Sequence, residues 1–206
     1  MKNILKITLS IFCLFTFSQA YSQVKFGPKI GLNLSTMTLK SSGISLDPKT
    51  LVGFNVGVIS EITLKENFIL QPGIIYSTKG SKYSVTGTDM QIAPTYLEIP
   101  VNGVYKFGTG SLKAFLFAGP YFAFGIGGSY ETPGESSDIS YGSGDNDDLK
   151  PFDFGLNLGG GLEIDKFQIS VQYGLGLTNL APDPSNDNET KVRVIGISMA
   201  YLFGGK

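Results

Sequence analysis

The chain contains no histidine and no tryptophan, and a single cysteine in 206 residues. Without histidine there is no Ser-His-Asp triad, no imidazole acid-base pair and no His-ligated metal site. The chain is therefore expected not to be an enzyme and to carry no cofactor or metal. The one cysteine, Cys13, falls in a segment that reads as a leader, so the mature chain is expected to hold neither thiol nor disulfide. Charge is scarce as well: 16% of residues are Asp, Glu, Lys or Arg, against about 25% in soluble domains. No basic stripe suggests nucleic acid. Long apolar helices are missing too. Past the leader the longest uncharged apolar run, Ala114 to Tyr130, is interrupted by Pro120 and several glycines and reads as a strand.

Glycine, by contrast, is abundant: 27 residues of 206, nearly double the usual share of ~7%. Residues 1–22 have the form of a secretory signal peptide. Lys2 and Lys6 begin it, Ile7 to Phe17 is its apolar core, and Ala20-Tyr21-Ser22 places small residues before Gln23. Residues 23–206 then form one domain, since no linker or composition break divides them. Without Lys2 and Lys6 the basic residues fall to 14 against 17 acidic, a net charge of −3.

Within that domain, apolar residues recur at every second position in eight runs: Lys25 to Thr38, Val52 to Leu64, Phe68 to Lys79, Tyr96 to Phe107, Leu112 to Gly128, Phe152 to Ile164, Phe167 to Thr178 and Val192 to Phe203. Tight turns (Lys65-Glu66-Asn67, Gly108 to Ser111, Asp165-Lys166) alternate with long loops (Leu39 to Leu51, Gly80 to Thr95, Glu131 to Pro151, Asn179 to Thr190). This alternation suits an up-and-down meander whose two ends meet different surroundings.

The other face of each run decides what the apolar face meets. Gly27, Lys29, Gly31, Asn33; Gly53, Asn55, Gly57, Glu61; Asp153, Gly155, Asn157, Gly159; and Gln168, Ser170, Gln172, Gly174 are small and mostly neutral. Such a face makes a poor water-exposed surface but fills the narrow lumen that eight strands leave. The fold class predicted is all-β, an eight-stranded antiparallel up-and-down transmembrane β-barrel. Its apolar face lies in lipid and its backbone polar groups are satisfied by closure. Aromatics near the strand ends supply two interfacial girdles: Phe26, Phe68, Tyr105, Phe107, Phe167, Tyr201 and Phe203 toward the turns, and Phe54, Tyr76, Tyr96, Phe152 and Phe154 toward the loops. Pro72, Pro100 and Pro120 fall inside strands and predict bulges or ladder breaks. In the fifth run both faces are apolar, so its register is not readable.

The segments YLEIPVNGVYKF (Tyr96 to Phe107), FLFAGPYFAFG (Phe115 to Gly125), FDFGLNLGGGLEI (Phe152 to Ile164) and FGPKIGLNLS (Phe26 to Ser35) resemble the PorT-like outer-membrane β-barrel proteins of the Bacteroidota. The resemblance covers essentially the whole mature chain. It implies a bacterial outer-membrane barrel; one branch of the family is tied to protein secretion and gliding, a role that no matched residue specifies here. The final strand, Gly196 to Phe203, resembles the terminal signal read by the barrel-insertion machinery, although Gly204-Gly205-Lys206 follow its Phe.

By parity Lys29, Glu61, Lys79, Glu98, Lys106, Asp153 and Glu163 point inward, with Lys113 undecided, and form a structural network of lumen ion pairs. Strand heights pair Lys29 with Glu61 and Lys79 with Glu98. In the loop YGSGDNDDLKP, Asp145, Asp147 and Asp148 make a candidate weak divalent-cation site that lacks the EF-hand pattern. Gly159-Gly160-Gly161 precedes no helix, so it relieves crowding or permits curvature instead of cradling phosphate. The reading is a monomeric barrel in outer-membrane lipid, with a structural or adhesive role through four long outer loops and an unidentified extracellular or envelope protein partner. A narrow pore, a subunit of an envelope secretion machine and a soluble periplasmic barrel with an apolar ligand remain as alternatives.

Overall fold

The computed structural model describes residues 24–41, 44–85, 88–144, 147–182 and 188–205. The leader and Asp145 lie outside the described residues. Every regular element among the described residues is a strand: β1 Val24–Ser41, β2 Ile44–Leu46, β3 Lys49–Lys65, β4 Phe68–Thr78, β5 Ser81–Val85, β6 Thr88–Phe107, β7 Leu112–Thr132, β8 Glu135–Asp138, β9 Phe152–Ile164, β10 Phe167–Gly176, β11 Glu189–Tyr201 and β12 Phe203–Gly204.

Eight of these close a ring in the order β1, β3, β4, β6, β7, β9, β10, β11, and every neighbouring pair is antiparallel. The closing seam joins the first and last long strands, from Lys29 opposite Ala200 to Lys40 opposite Glu189. Closure leaves no unpaired edge within the wall, which is the condition for crossing hydrocarbon. Outward positions carry the apolar set: Ile30, Leu32, Leu158, Ile197 and Met199 are each about half exposed or more. Asn33, Asn55, Asp153, Asn157 and Gln168 are buried on the inward face. An exposed apolar belt around a buried polar interior inverts the arrangement of a water-soluble barrel.

The prolines break ladders without shifting them. Pairing of β3 with β4 skips from Ile59–Gly73 to Ile62–Leu70, past Pro72. That of β6 with β7 skips from Pro100–Tyr121 to Gly103–Ala118, past Pro120. The register shifts instead at Thr63/Lys65 and at Thr95/Tyr96. The fifth barrel strand, β7, turns Phe115, Phe117, Tyr121 and Ala123 inward and leaves Leu116, Phe122 and Phe124 outside. Its glycine-rich neighbour makes room for this. Phe117 stands opposite Gly159 and Tyr121 opposite Gly155, and a Cβ at either glycine would lie 2.5 Å from the ring it faces.

Beyond the membrane the strands run on further than the alternation indicated. The β6–β7 ladder continues to Gln91–Glu131, flanked by β5 on one side and β8 on the other. Much of the second long loop, Gly80 to Thr95, is thus strand, because hairpin pairing keeps extending where no lipid imposes alternation.

The lumen and outer rim as the candidate functional site

The lumen is filled in layers, and the tertiary contacts group its charges into two separate clusters. Toward the short turns, Lys106 is buried between two carboxylates, Glu61 at 2.7 Å and Glu163. Gln168 donates to both, at 2.7 and 2.8 Å. Gln71 donates to Glu61 at 3.2 Å, and Lys25 stands 3.8 Å from Glu163. Two lysines thus offset two carboxylates. Toward the loops, fully buried Lys79 meets Glu98 at 2.9 Å and Asp153 at 3.3 Å. The Tyr121 hydroxyl donates to Asp153 at 3.0 Å, and the Lys79 ammonium lies 4.7 and 4.6 Å from the ring centroids of Tyr96 and Tyr121. Two carboxylates and two π faces suit a desolvated ammonium.

Between the clusters lies a polar chamber of about 30 Å³ lined by Lys29, Asn33, Asn55, Asn102, Asn157 and Gln172. This is room for a water or two. Lys29 donates to Gln172 at 3.4 Å there, not to Glu61. The pairing read from strand height is corrected on this point: Glu61 lies across the ladder from Lys25, while Lys29 faces Gly57 four residues further up. Lys113 is half-buried on the β7–β9 ladder, opposite Glu163. In the loop-side cluster, Glu98→Ala would leave Lys79 with one carboxylate. A loss of about 2 kcal/mol is expected, read as a lower urea midpoint for the folded band in unboiled SDS gels. An unchanged midpoint would show that Glu98 contributes nothing.

Phe26, Phe54, Phe68, Tyr76, Tyr105, Phe107, Phe152, Phe167 and Phe203 are exposed on the outer wall, and Phe154 and Tyr201 are half-buried there. They form neighbouring pairs such as Phe54–Tyr76 at 5.8 Å and Phe167–Tyr201 at 4.7 Å between ring centroids. Tyr96 departs from the girdle assigned to it. It is fully buried inside the lumen, because it shares the parity of Glu98 two residues on.

The mouth is capped, a feature the alternation could not reveal. Ile139, Leu149 and Leu180, from two different loops, pack with Met37, Val192 and Val194 of β1 and β11. Lys150 donates to the Leu180 carbonyl at 2.9 Å, and Leu180 donates to Thr190 at 2.8 Å, strapping the loops together. The Tyr141 hydroxyl donates to the Gly127 carbonyl at 2.9 Å, and its ring lies 2.2 Å from where a Gly125 Cβ would stand. Burial pushes this phenol up to about 12. Isolated apolar residues in polar loops were the only available sign of this cap.

Asp147 and Asp148 are engaged by their own loop. Asp147 accepts from the Gly144 backbone at 2.7 Å and from the Ser140 hydroxyl at 3.0 Å, and Asp148 accepts from the Ser140 backbone at 2.8 Å. Among the described residues no group of three acidic, His or Cys side chains is arranged to hold a metal. On the outer rim, Glu189 clasps Lys191 at 2.6 Å and Lys40 at 2.9 Å. Hydrogen bonds from Lys191 and then Lys40 hold its carboxyl down at about 2.

A closed ring of eight strands with lipid-facing side chains outside and paired charges inside defines an integral outer-membrane β-barrel. Residues 17–181 match the family model described as an outer membrane protein beta-barrel domain, and the chain belongs to that family. It resides in the bacterial outer membrane. Among curated proteins no match is found. Solved structures of similar fold include Ail, the attachment invasion locus protein of Yersinia pestis, in complex with the heparin analogue sucrose octasulfate (16% identity, 88% of this chain and 99% of that one, TM-score 0.45). Neisserial surface protein A is also similar (14% identity, 85% and 97%, TM-score 0.45). So is the outer membrane enzyme PagL (14% identity, 82% and 98%, TM-score 0.42).

Proposed function

We propose that this barrel is a non-enzymatic structural and adhesive protein that presents its outer hairpins to an extracellular or envelope protein. The observation that supports this reading is the filling of the lumen: two ion-pair clusters flank a chamber of only about 30 Å³, and an apolar cap lies over them. A barrel blocked at three levels offers no ready path for solute, so the surface free to meet a partner is the rim of extended hairpins. Within its family we place the chain in the PorT-like branch of the Bacteroidota, on the Gly- and aromatic-rich segments quoted above. Export through the leader at residues 1–22 and monomeric insertion belong to the same proposal.

The test replaces residues 129–151 with a four-residue turn in the full chain. Cells displaying the wild type and the variant are compared for surface adhesion, and both proteins for conductance in planar bilayers. Adhesion lost by a variant that still shifts on boiling in SDS, with no conductance from the wild type, is the expected result. Unchanged adhesion, or steady conductance from the wild type, would overturn the reading.

A further inference from the structure

The outer rim is electrically two-sided. On the β7–β8 hairpin the exposed charges are Glu131, Glu135 and Asp138. Across the barrel, at the β1–β11 closing seam, they are mainly basic: Lys40, Lys191 and Arg193, with Glu189 set between the two lysines. Lys49 and Lys82 pair directly across β3 and β5, next along the ring from β1, and there Asp89 lies 3.8 Å from the Lys49 ammonium.

Arg193 is the only arginine of the chain. It lies on the outward face of β11, two residues beyond lipid-facing Ile195, and its cross-strand neighbours are Thr36 on β1 and Leu175 on β10. Leu34 stands opposite Ile195 at the upper edge of the apolar belt. The guanidinium therefore projects at the level where hydrocarbon gives way to headgroups. Glu189 occupies Lys40 and Lys191, whereas Arg193 has no hydrogen-bond or ion-pair partner among the described residues. Among the described residues of β1 and β11 at the outer rim, one carboxylate stands against three cations, two positive charges in excess.

We propose that this seam binds the phosphate of an outer-leaflet lipid headgroup, with Arg193 as the bidentate contact and Lys191 and Lys40 as flanking charges. A planar fork of donors matches phosphate oxygens in a way that an ammonium cannot. The position argues for lipid over protein as the occupant. These side chains lie against the wall, immediately above the belt that acyl chains cover, so a headgroup arrives there already tethered by its tails. The acidic hairpin repels phosphate on the opposite half and confines the site to the seam.

The full chain is tested in phosphate-free maltoside micelles doped with bisphosphorylated lipid A or with its dephosphorylated form, and retained lipid is counted by native mass spectrometry. The wild type should retain only the phosphorylated lipid. Arg193→Gln should bind it about ten-fold more weakly, as expected for losing a charged hydrogen-bonding contact, and Arg193→Lys should restore part of the loss. The boiling shift in SDS checks that each variant is folded. Equal retention of dephosphorylated lipid, wild-type retention by Arg193→Gln, or displacement by millimolar inorganic phosphate would each overturn the assignment.

Discussion

Lys106→Met is expected to lower the barrel's unfolding free energy by about 3–5 kcal/mol, since it leaves buried carboxylates without their cation. Lys106 is the central cation of the turn-side cluster, between Glu61 and Glu163. Lys25, at 3.8 Å and partly exposed, reaches only Glu163. The remaining donors to Glu61 are neutral amides from Gln71 and Gln168. Urea unfolding in phospholipid vesicles, followed by the unboiled band, measures the loss. Adding Glu61→Gln and Glu163→Gln to Lys106→Met should recover most of it, because the penalty comes from uncompensated charge and not from the methylene stem. A Lys106→Met barrel that unfolds at the wild-type urea concentration would refute the role given to this cluster.

Gly159→Ala should cost about 2–3 kcal/mol even though alanine is an ordinary strand residue. An added Cβ would sit 2.4 Å from the Val171 carbonyl oxygen and 2.5 Å from the Phe117 ring. The ring lies over the glycine because the two residues are paired across β7 and β9. Phe117→Ala alone should cost about 3 kcal/mol through the cavity it opens. The double variant should then cost at least about 1 kcal/mol less than the sum, since removing the ring relieves part of the overpacking. Strict additivity in vesicle unfolding would show that ring and glycine do not share space.

These effects explain which parts of the fold were legible in advance. Alternation along Phe152 to Ile164 marks a strand, and the structure forms β9 over that same range. Along Leu112 to Gly128 both faces are apolar, and only the neighbours settle the register: rings turn in where Gly155, Gly159 and Gly161 leave space. Tyr96 resembled an interfacial aromatic because strand-end position is visible in one dimension, whereas its contacts with Lys79 and Tyr141 come from other strands and a loop. The cap of Ile139, Leu149 and Leu180 was illegible for a similar reason. Three apolar residues spread over two polar loops show no period, and their meeting depends on where the mouth of the barrel lies.

The sequence alone determined the side of the wall that faces lipid. A period of two is local to each strand, and a one-residue error would place Gly, Asn and Gln in hydrocarbon. It likewise determined the strand number and the alternation of short turns with long loops, which follow from counting runs. The partners inside the lumen were decided only by tertiary structure. Lys106 joins Glu61 and Glu163, and Lys29 faces a chamber of amides, because the stagger between strands sets the height of each side chain. That stagger is a property of the closed ring, and no single strand encodes it.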